Sequence, residues 1–274
     1  MAGVFPLITV DELSARLAAR DLRIFDVRWY LADPRAGRVE YGDAHIPGAV
    51  FVDLETQLSG KSGPGRHPLP SPKAFTETLR ELGVDKEHHV VVYDASAGAI
   101  ASRMWWMLRS AGHKAVQVLD GGFVAWRAAG QPTTGAVPKP RRGHYPTIHE
   151  WTGVVGAEDV ARTDRPLIDA RAADRYTGEH EPIDRRAGHI PGAINLPFVD
   201  NLSQDAPVID RDAVRERFAG AEGAIVYCGS GVTSCHDLLA MEVAGIPGGL
   251  LYEGSWSDWS SDPGRPIATG TEPR

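Results

Sequence analysis

Short apolar runs alternate with segments of helical periodicity along this chain. Leu22-Arg23-Ile24-Phe25-Asp26-Val27-Arg28 reads as a buried strand ending in Asp-Val-Arg. A turn over 42–50 leads into a second short strand, Val50-Phe51-Val52. A polar loop rich in Gly and Pro spans 59–72, and the periodicity then predicts a helix over 73–82. The strand Val90-Val91-Val92-Tyr93, a helix over 99–111, the strand Val116-Gln117-Val118-Leu119 and a helix opening at Gly121-Gly122 complete the first half.

The second half repeats the first. Leu167-Ile168-Asp169-Ala170-Arg171 answers the first strand, and Gly188-His189-Ile190-Pro191-Gly192-Ala193 answers the turn around His45. Ala224-Ile225-Val226-Tyr227 answers 90–93, and 249–259 answers 119–126. A repeat of this length means two copies of one domain. Strands alternating with helices imply an α/β fold, each copy built on a mainly parallel sheet. We assign residues 1–130 to the first domain, 131–150, rich in Pro, Gly, Thr and basic residues, to a linker, and 151–274 to the second.

Length agrees with two domains, since 274 residues is close to twice about 150. The net charge of −7 argues against nucleic-acid binding. The start, Met1-Ala2-Gly3-Val4-Phe5-Pro6, shows neither a basic leader nor a long apolar run, so no signal peptide and no membrane span are expected. Two cysteines are too few for a disulfide framework. With one of them reading as reactive, a reducing cytoplasm is the expected compartment.

That cysteine is Cys228. It follows the apolar run 224–227 and opens the loop Cys228-Gly229-Ser230-Gly231-Val232-Thr233, and a helical pattern begins just beyond. Two glycines let such a loop curl its N–H groups inward as a nest for negative charge, and the helix N-terminus adds partial positive charge. A thiol there loses its proton more readily than a free cysteine, whose pKa is about 8.5. In the first copy Asp94 stands where Cys228 stands, so one domain is read as active and the other as inactive. Cys235 is read as a core cysteine early in the helix. A phosphatase would need an arginine six residues after the cysteine, where Ser234 stands. Two cysteines seven apart lack metal-ligand spacing, and a disulfide between them would distort the helix.

His45-Ile46-Pro47-Gly48-Ala49, Gly65-Arg66-His67-Pro68-Leu69-Pro70, the second turn, the Cys228 loop and Gly254-Ser255-Trp256, in this order and duplicated, resemble the two-domain rhodanese-like sulfurtransferases. The resemblance implies tandem domains, each a five-stranded mainly parallel sheet flanked by helices, with the active site between them. Within the family the loop is similar to the 3-mercaptopyruvate type, because the thiosulfate type carries basic residues directly after the cysteine. Thiosulfate is a compact dianion with an anionic leaving group, which such charges stabilise. The alternatives are a thiosulfate:cyanide sulfurtransferase and a catalytically silent rhodanese-like binding module.

The resemblance also implies roles. Cys228 is the nucleophile that carries a persulfide, held by the N–H groups of Gly229, Ser230, Gly231, Val232 and Thr233. The outer sulfur passes to a thiol, thioredoxin or cyanide, and no cofactor is implied. Ser230 and His67 match members of a Ser–His–Asp relay, whose acid is either Asp53 or Glu55. Arg175 matches the substrate-binding arginine. The family's second arginine follows a Glu-Pro, but here Glu181-Pro182 is followed by Ile183, so Arg186 or Arg185 is expected to supply that charge. His45 and His189 recur in both copies and are expected to fix their turns. Trp105, Trp106, Trp256 and Trp259 are expected in core and interface positions.

Overall fold

The computed structural model divides into two compact units, Met1–Ser59 with Pro70–Thr152 and Gln204–Val208, and Gly60–Leu69 with Gly153–Ser203 and Ile209–Arg274. Residues 4–204 and 206–272 are described. The start Met1-Ala2-Gly3, read above for a leader, lies outside the described residues, as do Asp205, Pro273 and Arg274.

Each unit carries one five-stranded sheet. In the first, β1 (Leu7–Ile8), β2 (Leu22–Asp26), β3 (Val50–Phe51), β4 (His89–Tyr93) and β5 (Val116–Leu119) lie in the order β1-β5-β4-β2-β3. In the second, β6 (Val154–Val155), β7 (Leu167–Asp169), β8 (Ala193–Asn195), β9 (Ile225–Tyr227) and β10 (Leu250–Tyr252) take the order β6-β10-β9-β7-β8. Every pairing is parallel. The central strands β4 and β9 are buried throughout, so they read as unbroken apolar runs rather than alternating ones.

Parallel strands need crossover connections, and the predicted helices Pro72–Glu81 and Ala101–Ser110 supply them on either side of β4, while Gly122–Ala128 follows β5. Ser71 caps the first of these through its hydroxyl to the Ala74 N–H, and Pro72 opens it. Among the described residues no helix is long and apolar enough to cross a membrane.

Register brings the chemistry to one edge. Asp26 pairs with Tyr93 in the first sheet and Asp169 with Tyr227 in the second. Asp94 and Cys228 therefore leave the carboxyl edges of β4 and β9, where open α/β sheets bind ligands. Beside them, Arg28 and Arg171 each fork onto the aspartate two residues earlier, Nη2 to Oδ2 at 2.7 and 2.6 Å. Arg28 lies over the Phe123 ring and Arg171 over Trp256, at 4.4 and 4.6 Å from the centroids.

The repeated histidines hold their turns. His45 Nδ1 meets Tyr41 O at 2.7 Å and His189 Nδ1 meets Tyr176 O at 2.9 Å, each imidazole stacked on that tyrosine. The loop sequence after residue 59 departs from expectation. Gly60–Leu69 packs within the second unit, although it precedes the linker in the chain.

Candidate active site

Cys228 follows β9, and its loop is fastened at the base by the helix Ser255–Trp259. Cys228 O accepts from the Trp256 N–H at 2.9 Å, and Gly229 O from the Ser257 N–H at 3.0 Å. Cys228 N–H donates to Ser255 Oγ at 3.2 Å, and that hydroxyl donates to Tyr252 O at 3.0 Å. Ser255 makes this bridge at φ 53, in the left-handed region that a non-glycine residue enters at a cost of about 1–3 kcal/mol. Gly122 holds the matching place in the first copy at φ 58.

The first copy shows what its loop is shaped to hold. Ser96 and Gly98 donate their N–H groups to Asp94 Oδ1 at 2.7 and 2.9 Å. Ile100 and Ala101 donate theirs to Oδ2, both at 2.8 Å. Four backbone donors thus converge on one anion. Ala97 takes φ 53 there, and its counterpart Gly231 takes φ 76.

In the second copy Cys228 stands at that place. Burial works against charge on Cys228. Hydrogen bonds from the Thr233 and Ser234 hydroxyls and from the Ser230 and Ser234 N–H groups outweigh it, and the thiol ends below its ordinary value. Ser234 Oγ is buried and has no other hydrogen-bond partner, so its proton is available to that sulfur. The helix Ser234–Ala244 starts here, its N-terminus toward the loop. Cys235 is buried on that helix, its thiol donating to Gly231 O at 3.4 Å.

The segment Gly60–Leu69 brings two more side chains. Gly65, at φ +75, passes so near Gly254 O and Ser257 Oγ that a side chain would collide. Arg66 N–H donates to Ser257 Oγ at 3.1 Å, and Leu69 N–H to the Glu253 carboxylate at 2.9 Å. Held this way, His67 Nδ1 shares a 2.9 Å hydrogen bond with Ser230 Oγ, and both residues are buried.

Arg66 was not anticipated as a site residue. A Cβ on Gly229 would meet Arg66 Nη2 at 2.9 Å and Arg175 Nη1 at 3.3 Å. Both guanidiniums therefore face the space left by the missing side chain beside Cys228. Asp184 bridges them, pairing with Arg66 through Oδ1 and with Arg175 through Oδ2, the latter at 2.9 Å. Glu181 also holds Arg175, at 2.8 Å, and Arg171, at 3.2 Å. Burial raises the Glu181 carboxyl, but Arg175 and the Asp184 and Ile183 N–H groups hold it below the usual range. Burial prevails at Asp184, which lies above that range despite Arg66 and Arg175.

The Arg186 guanidinium is committed to the carbonyls of Trp259, Ser260, Asp262 and Arg265, where it ties down backbone rather than awaiting substrate. Arg185 is exposed. Asp53 caps the short helix Leu54–Gln57, accepting from the Thr56 N–H at 2.9 Å, and pairs with Arg38 at 3.8 Å. Glu55 lies in the first turn of that helix.

A buried acid also escaped notice. Asp237 is fully buried on the helix after the loop and accepts from Asn201 Nδ2 at 2.7 Å, while its Oδ2 has no partner. Burial raises its carboxyl well above the ordinary value, against the pull of Asn201 and Arg217, and a charged Cys228 pushes the same way. Its position inside an apolar helical run was the available signal. Because the folded value is raised, the unfolded chain loses this proton first. Stability therefore falls as pH climbs past about 4, the unfolded value. Asp237→Asn removes that slope. Denaturation between pH 4 and 7 is expected to show the variant gaining on the parent as pH rises, and parallel curves would refute this.

A family model for the rhodanese-like domain matches residues 9–129 and 156–262. The chain belongs to the rhodanese-like family. A Pseudomonas aeruginosa protein named "Probable 3-mercaptopyruvate sulfurtransferase" is 42% identical over 278 residues, covering 96% of this chain and 98% of that one. Bovine thiosulfate sulfurtransferase is 34% identical, over 91% of this chain and 88% of its own. Among solved structures, the 3-mercaptopyruvate sulfurtransferase from Leishmania major superposes with a TM-score of 0.85 at 31% identity, covering 93% of this chain and 74% of that one. The rhodanese-like repeat accounts for the duplicated sheets, and Asp94 marks the copy without a cysteine.

Proposed function

We propose that this chain is a sulfurtransferase that takes sulfur from 3-mercaptopyruvate onto Cys228 and passes it to a thiol, thioredoxin among them, or to cyanide. The observation that carries the choice of donor is the Ser230–His67 hydrogen bond beside the cysteine loop. The Cys228 thiolate attacks the donor sulfur, and the carbon–sulfur bond breaks with its electron pair going to carbon. The departing enolate must gain a proton to become pyruvate. Ser230 Oγ supplies it and His67 restores it, so a proton moves by a short path in a site shielded from water. The donor's own S–H proton balances the step, leaving a persulfide anion on Cys228. The loop N–H groups and the Thr233 and Ser234 hydroxyls are poised for that anion, as they are for the thiolate. The outer sulfur then goes to the acceptor and the thiolate returns. A cysteine that works as a thiolate fits a reducing, cytoplasmic setting.

Thiosulfate is the second reading, because Arg66 and Arg175 place positive charge beside the neutral Gly229. Sulfite leaves as an anion and needs no proton, so the two donors respond differently to loss of the histidine. His67→Ala is expected to lower kcat with mercaptopyruvate by roughly 10²–10⁴ while sparing any turnover with thiosulfate. Sulfur transfer to cyanide, measured with each donor side by side, checks this. An unchanged mercaptopyruvate rate in His67→Ala would remove the relay, and a parent enzyme that prefers thiosulfate would reverse the choice of donor.

A further inference from the structure

The family's second arginine is missing after Glu181-Pro182, where Arg186 or Arg185 was expected to replace it. Arg186 is held by four carbonyls, and Arg185 is exposed. A guanidinium from another part of the chain stands beside the nucleophile's loop instead. Arg66 Nη2 and Arg175 Nη1 lie 2.9 and 3.3 Å from the point where a Gly229 side chain would begin. Both forks thus border the backbone beside Cys228, where a carboxylate held by one arginine comes within reach of the other.

We propose that Arg66 is the second arm of a two-arginine clamp that binds the donor's carboxylate over Gly229 and thereby aims its sulfur at Cys228. The proposal rests on the reading of Cys228 as a nucleophile toward an α-keto acid donor. Several features of the site fit it. Arg66 is tethered at both ends: its N–H is fixed to Ser257, and its guanidinium is paired with the nearly buried Asp184. Asp184 bridges Arg66 and Arg175, so a carboxylate already draws the two forks to one place before substrate arrives. Gly229, with no side chain to push them away, lets both guanidiniums approach the loop. The segment that carries Arg66 carries His67 next to it, so one strap delivers both a carboxylate donor and the relay histidine. Arginine suits the role because its planar fork matches a carboxylate, which a lysine ammonium does not.

The test uses the full-length protein and two alkylating probes, 3-bromopyruvate and bromoacetone. In both, the thiolate displaces bromide from a CH2 beside a ketone, and only the first carries a carboxylate. Their rate ratio at Cys228, followed by mass spectrometry and compared with that of free cysteine, reads the clamp alone. The parent protein is expected to favour bromopyruvate beyond the free-cysteine ratio. Arg66→Met should cut that ratio about tenfold or more, as loss of a charge-assisted hydrogen bond does, with the bromoacetone rate unchanged. Arg66→Lys should fall between. Gly229→Ala, whose Cβ would press on both guanidiniums, should cut the ratio with the Arg66 and Arg175 side chains retained. Arg162→Met, a change at an exposed arginine of the same unit, should leave the ratio alone. An unchanged ratio in Arg66→Met, with Cys228 still reactive, overturns the clamp and leaves the nucleophile standing. Failure of Cys228 to react with either probe overturns the nucleophile, and the clamp with it.

Discussion

Cys228→Ser is expected to reduce sulfur transfer to the background of the assay with every donor while the protein stays folded. The change swaps one sulfur for one oxygen, and the loop's N–H groups and hydroxyls give the new Oγ hydrogen-bond partners, so the stability cost should be about 1 kcal/mol. The loss of function has a different scale. The loop lowers the thiol below its ordinary value, whereas a serine hydroxyl starts so far above neutral pH that the same hydrogen bonds leave it protonated. The first copy shows that the fold tolerates a different atom at this place, since Asp94 fills the matching loop with four N–H donors satisfied. A thermal melt near that of the parent, with no transfer to cyanide, is the expected pair of results. Turnover retained in Cys228→Ser would place the reacting sulfur elsewhere.

Arg171→Ala is expected to produce the largest loss of stability. Arg171 and Asp169 are both buried, and their ion pair measures 2.6 Å. The same guanidinium donates to Gly188 O at 2.7 Å, pairs with Glu181 at 3.2 Å and covers the Trp256 ring. Burial alone would disfavour the charged form of Arg171, but Asp169 and Glu181 raise it further above its ordinary value, so it stays charged. Removing it strands the Asp169 carboxylate in the core, a loss of about 3–5 kcal/mol. In a domain stabilised by about 5–15 kcal/mol that is a large share, and Tm should fall by roughly 10 °C. The double variant Asp169→Asn, Arg171→Met should recover part of it, because no charge is then left unpaired. A single variant within about 1 kcal/mol of the parent in chemical denaturation would show that water or a neighbour compensates Asp169.

The sheet was legible because its central strands are apolar on both faces, and 90–93 and 224–227 stand out without any alternation. The duplication was legible because Asp-x-Arg, His-Ile-Pro-Gly and the strand before the loop recur in order. Cys228 was legible from its glycines. What escaped depends on contacts between residues distant in sequence. Arg66 lies far from Cys228 in sequence, and only the path of Gly60–Leu69 into the second unit brings its guanidinium to Gly229. Nothing local marks Ser255 as the acceptor for the Cys228 N–H, since a strained serine follows from the fold around it. Arg186 misled because a sequence shows charge and not the four carbonyls that claim it. The cap at Asp53 was readable too: with Thr56 three residues on, its spacing is that of a helix N-terminus.

The central claim is that Cys228 holds the sulfur in transit. The direct measurement is mass spectrometry of the protein after incubation with 3-mercaptopyruvate and no acceptor, with peptides resolved. The account predicts one added sulfur atom on the peptide carrying Cys228, lost on addition of cyanide or a thiol. Sulfur found on Cys235 instead, or transfer to acceptor with Cys228 never modified, would contradict it.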